Sequence, residues 1–198
     1  MKRLHAAFAI VCTLLVAACL PVTTKTPVGS TVGLGADSAL YGTWKARSAD
    51  PDDKQKDFGY FHFITGKDGT MTALMVIAAG GSDDEWTAFA LRTATLGKNH
   101  FMNVVETFDN NEPVASDLKD TSFPVLYKFG KNHTLTLYLL DEDKTKEAIA
   151  AGKLQGVIES GSYGDVKITS DDAALDAFMA TPEAVKLFKM FLVLKKTE

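Results

Sequence analysis

The sequence predicts a mainly β domain with a minor helical part. It is an antiparallel meander of about eight or nine short strands closed into a barrel, with short helices in its C-terminal third. Three observations lead there. Apolar and polar residues alternate with a period of two in segment after segment, as half-buried strands do. The breaks between segments are short and rich in Gly, Asp and Asn. Helical signals come only after residue 140. A chain of 198 residues that is 46% hydrophobic can bury a core of its own.

The first residues follow a different pattern. Lys2 and Arg3 precede an apolar run from residue 6 to residue 16, which ends in the small pair Ala17-Ala18. That is the layout of a secretory signal, and the run is shorter than the roughly 20 residues a membrane span needs. Cys19 follows directly. Val16-Ala17-Ala18-Cys19 resembles the lipobox of bacterial lipoproteins. The resemblance implies that residues 1–18 are removed as a signal peptide. It also implies that Cys19 becomes the N-terminus and carries fatty acyl chains of the palmitate class. Each buried methylene contributes about 0.8 kcal/mol, so two or three chains hold a domain firmly on a membrane. The resemblance places the protein in the bacterial cell envelope. Leu20, where an Asp would favour inner-membrane retention, points to the outer membrane facing the periplasm.

Removing residues 1–18 takes away Lys2 and Arg3 and moves the formal charge from −4 to −6. An acidic domain offers no electrostatic footprint for nucleic acid. Cys12 leaves with the signal, so Cys19 is the one cysteine of the mature chain and acylation consumes it. No thiol then remains for a disulfide, a metal or nucleophilic catalysis. Residues 19–39 are rich in Pro, Thr, Gly, Ser and Ala and read as a lipidated N-terminus followed by a flexible tether. A single barrel-like domain is expected over residues 40–198.

The strands follow in order. Phe61 and Phe63 share a face opposite Tyr60, His62 and Ile64. Residues 71–79 are apolar on both faces after Thr72, which fits a strand covered on both sides. Thr87, Phe89 and Leu91 oppose Trp86, Ala88 and Ala90, and Phe101, Asn103 and Val105 oppose Met102 and Val104. Val125, Tyr127 and Phe129 share a face, and Leu135, Leu137 and Leu139 share another. Tight turns are expected at Gly66-Lys67-Asp68-Gly69, Gly80-Gly81-Ser82-Asp83, Gly97-Lys98-Asn99 and Gly130-Lys131-Asn132. Consecutive strands with short loops make a meander, which hides its edges by curling into a barrel or a sandwich.

Three short helices are expected late. Residues 141–151 start with acids and end at Gly152. Ser170 reads as the cap of a second helix, with Asp171 and Asp172 in its first turn. Thr181-Pro182-Glu183 has the form of cap, first-turn proline and early acid. An apolar strand over residues 190–194 closes the chain, with Lys195 and Lys196 after it.

The first domain strand contains Gly42-Thr43-Trp44, which resembles the Gly-x-Trp signature of lipocalins and related calycins. The resemblance implies a lipocalin-like barrel whose tryptophan closes one end. It also implies a cation across the indole ring, for which Arg92, Lys195 and Lys196 are the candidates. Such a barrel can hold one small ligand. Its inward wall would come from Phe61, Phe63, Met71, Met75, Trp86, Phe89, Phe101 and Tyr127. The same residues would serve a filled core, so the list leaves both alternatives open.

Little in the chain suggests catalysis. His62, His100 and His133 fall on separate segments without a ligand spacing, so no metal or other cofactor is expected. The serines near glycine form no nucleophile elbow. The acidic clusters lie where turns and helix starts explain them, and none follows the calcium-loop pattern. The expectation is a membrane-anchored binding protein for a small apolar or lipid ligand, without enzymatic activity. The alternative is a filled barrel that docks to another envelope protein. A hydrolase would need a polar constellation assembled from distant strands.

Overall fold

The computed structural model describes residues 22–49, 59–77, 85–109, 112–113, 121–158 and 166–197. The signal, Cys19 and the turn at 80–83 lie outside the described residues. Eight strands form the barrel: β2 (Gly42–Ser48), β3 (Gly59–Thr65), β4 (Met71–Ile77), β5 (Glu85–Leu96), β6 (Asn99–Asp109), β8 (Phe123–Gly130), β9 (Thr134–Leu140) and β12 (Phe188–Lys196). Each pairs antiparallel with the next, and β12 closes the ring between β9 and β2. The two-residue β7 (Glu112–Pro113) only extends the ladder of β6. Closure leaves the eight strands without a free edge to template aggregation. The expected meander is therefore present, with eight strands rather than nine.

Alternation decides which side chains fill the barrel. Trp44, Phe61, Phe63, Met71, Met75, Leu91, Met102, Tyr127, Leu135 and Leu194 meet inside as one apolar cluster. Two register shifts depart from the alternation. One lies between Ala90 and Leu91 in the β5–β6 ladder, and the other between Met190 and Leu192 in β12. Bulges of this kind bend a strand and increase its twist, as a small closed barrel requires.

A second layer covers part of the barrel's outer surface. It contains a three-stranded sheet ordered β1 (Thr23–Thr24), β11 (Val166–Ile168), β10 (Gly156–Ile158). It also contains the helices α1 (Glu142–Ala150), α2 (Asp172–Met179) and α3 (Pro182–Val185). Their apolar residues, among them Ala148, Ile168, Leu175, Met179 and Leu187, pack with Leu96, Phe101 and Leu126 of the barrel wall. Over Phe101–Met102 of β6 and Val125–Tyr127 of β8 the wall is thus buried on both faces. The Asp141 side chain caps α1 by accepting from the Lys144 amide at 3.1 Å, and Thr181 caps α3. For α2 the cap is Asp171, which accepts from the Ala174 amide at 2.8 Å. Ser170, the expected cap, instead accepts from the Gln155 amide at 2.9 Å.

The expectation of a flexible tether over residues 19–39 is corrected from residue 22 onward. Val22 and Val28 are buried in the second core. Thr24 exchanges backbone hydrogen bonds with Ser122, and Gly35 does so with Thr93. Asn103, fully buried on β6, accepts from the Val28 amide and donates to the Val28 carbonyl, both at 2.8 Å. The buried Asp176 carboxylate of α2 accepts from the Gly29 amide at 2.6 Å, the Thr31 amide at 2.9 Å and the Thr31 hydroxyl at 2.6 Å. Gly29 has φ +93°, and a Cβ there would sit 2.1 Å from the Ala94 Cβ, so only glycine fits. The segment is a strap laid along the barrel. Composition suggested a linker because its partners are polar groups more than fifty residues away.

Candidate functional site

The strap leads into a 3₁₀ turn, Ser38–Leu40, and then into β2. There the Gly-x-Trp residues occupy one end of the barrel. Trp44 is 2% exposed, and its indole N–H donates to the Leu40 carbonyl at 2.7 Å. Of the three candidate cations it is Lys196, on the last strand beside β2, whose Nζ lies 5.2 Å from the Trp44 ring centroid. Gly42 has φ +119°, and a Cβ there would meet the Lys196 Cε at 3.0 Å. Glycine at this position therefore serves both the backbone turn and the approach of the lysine stem. The Phe129 ring lies 6.4 Å from Trp44 at the same end.

Tyr127 is buried above this plug. Its hydroxyl donates to Asp37 Oδ2 at 2.7 Å, across ninety positions of sequence. Burial, and then the Asp37 carboxylate that accepts the proton, push the phenol far above its ordinary range. A raised folded-state pKa contributes stability that is complete below the unfolded value, near pH 10, and is lost as pH rises past it. Stability is expected to fall above pH 10 by about 1.4 kcal/mol per pH unit from this residue alone. Urea titrations at pH 9 and pH 11 on the wild type and Tyr127→Phe check this. The variant should lack that part of the alkaline loss, and an equal loss in both would contradict it.

The other half of the barrel holds a cavity of about 70 Å³. Its walls include Phe61, Phe63, Ala73, Met75, Phe89, Phe123, Leu137 and Phe191, and no polar surface lines it. Four of the eight expected wall residues, Phe61, Phe63, Met75 and Phe89, line this cavity. Met71 and Tyr127 also pack into the inner cluster, but they do not line this cavity.

Trp86 and Phe101 are corrections. The register pairs Met75 with Thr87 and Ala73 with Phe89, so Trp86 falls on the outer face beside Val76. A period of two cannot place residues 86 and 89 on one side. Phe101 is buried, but in the second core, with its ring 5.9 Å from Phe188. Phe101 on one face of β6 and Met102 on the other are both buried, so alternation alone could not choose between the faces. The wall residues missed from sequence include Phe191. It is the extra residue of the β12 bulge and joins Leu192 in facing the cavity.

The histidines stay apart. His62 Nδ1 lies 3.0 Å from the Thr43 hydroxyl, His100 Nδ1 lies 3.0 Å from the Thr95 hydroxyl, and His133 is exposed in the β8–β9 turn. Among the described residues no three of His, Cys, Asp and Glu come together as a metal set. Among them, too, no helix is long and apolar enough to cross a membrane. Compared with protein families, curated proteins and solved structures, the chain gives no significant match.

Proposed function

We propose that the protein is a lipid-anchored envelope lipoprotein, held through Cys19, whose lipocalin-like barrel takes the end of a single apolar chain without catalysis. The observation that carries this reading is the wholly apolar cavity between Phe61, Met75, Phe89 and Phe123. Its size defines the ligand. Pockets for complete small molecules run to about 300 Å³ and above, and a dry hole that admits benzene is about 150 Å³. A space of about 70 Å³ suits a few methylenes, such as the tip of an acyl chain. The same size favours the second reading, a barrel filled by its own side chains that works by docking to an envelope protein.

Native mass spectrometry of protein purified from its own membrane separates the two. A one-to-one lipid adduct is expected in the wild type. Ala73→Leu, which puts three more carbons into the cavity, should remove the adduct without loss of fold. A bare mass for both proteins would sink the ligand reading and leave the filled barrel.

A further inference from the structure

The strap shortens the distance between the lipid anchor and the folded domain. Val22 is already 2% exposed in the second core, so only Leu20 and Pro21 separate it from Cys19. Three residue steps reach at most about 11 Å. A domain anchored this closely presents one particular face to the bilayer, the one on which Val22 emerges.

That face is the sheet β1–β11–β10. Thr24 and Ile168 point inward and are buried. The cross-strand partners Thr23, Lys167 and Val157 form the opposite, outward row. Val157 is 50% exposed on the edge strand β10, whereas Ile158 pairs with the buried Val166 and so belongs to the other side of the sheet. Lys25, exposed, follows β1 on the outward side, and its amide donates to the Ile168 carbonyl at 2.8 Å. An exposed apolar side chain, Val157, flanked by two lysines and beside the proposed acylation site, matches an interfacial membrane contact. Apolar groups enter the acyl boundary and ammonium groups meet anionic headgroups, at about 1 kcal/mol per cation near the surface. The rest of the protein is acidic, so this patch supplies an attraction that the net charge does not.

We propose that the outward row of the β1–β11–β10 sheet is a membrane-docking face that lies on the bilayer bearing the anchor, with Val157 inserted and Lys25 and Lys167 at the headgroups. The inference rests on the lipid anchor proposed above, and the experiment separates the two. The full-length protein, expressed with its signal, carries Val157→Cys for labelling, since acylation leaves Cys19 without a thiol. Ile64→Cys, 53% exposed on β3 of the barrel, is the control. The intact mass of each purified protein first reports acylation of Cys19. Each is then labelled with a polarity-sensitive fluorophore and reconstituted into phosphatidylethanolamine–phosphatidylglycerol vesicles containing nitroxide-labelled lipid. The label at 157 should shift to the blue and be quenched several-fold more than the label at 64. Substituting Lys25→Gln and Lys167→Gln should reduce that difference. Equal or absent quenching at 157 and 64 in a lipidated protein would overturn the docking face and leave the anchor standing. An unmodified Cys19 would overturn both.

Discussion

Trp44→Ala is expected to destabilise the protein by about 3–5 kcal/mol, the range for removing a buried tryptophan whose site cannot collapse. Collapse is blocked here because the indole bridges elements fixed independently. Its N–H is bonded to Leu40 in the turn before β2, and its ring lies beneath Lys196 from the far end of the chain. For a domain of this size the loss corresponds to a fall of about 6–20 °C in melting temperature, read by circular dichroism. Two milder changes apportion the effect. Trp44→Phe keeps a ring but leaves the Leu40 carbonyl without its donor, and should cost about 1–3 kcal/mol. Lys196→Met removes the cation but keeps an apolar stem, and should cost about 0.5–1 kcal/mol. If Trp44→Ala shifted the transition by no more than the lysine change, the plug would not be a structural keystone of the barrel.

Asp176→Ala carries the second largest expected effect, about 2–4 kcal/mol. The carboxylate accepts two backbone amides and a hydroxyl from the strap, and hydrogen bonds to a charged acceptor are the stronger kind. Without it, the amide of the buried Gly29 is left with no acceptor, while that of the exposed Thr31 turns to water. The loss should be local before it is global. Hydrogen exchange at Gly29 and Thr31 should accelerate strongly, while amides in the β3–β4 ladder keep most of their protection. Asp176→Asn keeps the shape but turns one acceptor into a donor that faces an amide, so it should fall between wild type and alanine. Unchanged exchange at Gly29 and Thr31 in Asp176→Ala would show that the strap is held by its apolar contacts alone.

The parts of the fold that the sequence made legible are those governed by a two-residue period. Phe61 and Phe63, or Leu135 and Leu137, announce both a strand and its inner face. The glycine-rich breaks at 66–69, 97–99 and 130–132 announce the turns. The late helices were visible from their caps, although the cap of α2 is Asp171 and not its neighbour Ser170. Three kinds of feature were not legible. The Phe191 bulge suspends alternation for one residue and brings two adjacent side chains inward. The wall around Phe101 is covered on both sides, so its inner face has no compositional mark. The strap consists of residues typical of linkers, and what orders it is Asn103 and Asp176, whose polar side chains gave no sign of burial in the linear sequence. Within the cavity, period two supplied Phe61, Phe63, Met75 and Phe89. Its volume depended on how Ala73, Leu137 and Phe191 meet across the barrel, which no local pattern encodes.

The strap also bears on the order of events as the protein folds. The strap is locked by Asp176, 147 positions after Gly29, and the first barrel strand is locked by β12, the last strand of the barrel. Neither lock can form until almost the whole polypeptide has been delivered. Contacts of such long sequence separation are slow to close, and until they do the N-terminal strands lack both their neighbour and their cover. The architecture therefore delays folding to the end of delivery. The final step is then a single cooperative closure of barrel, plug and strap together.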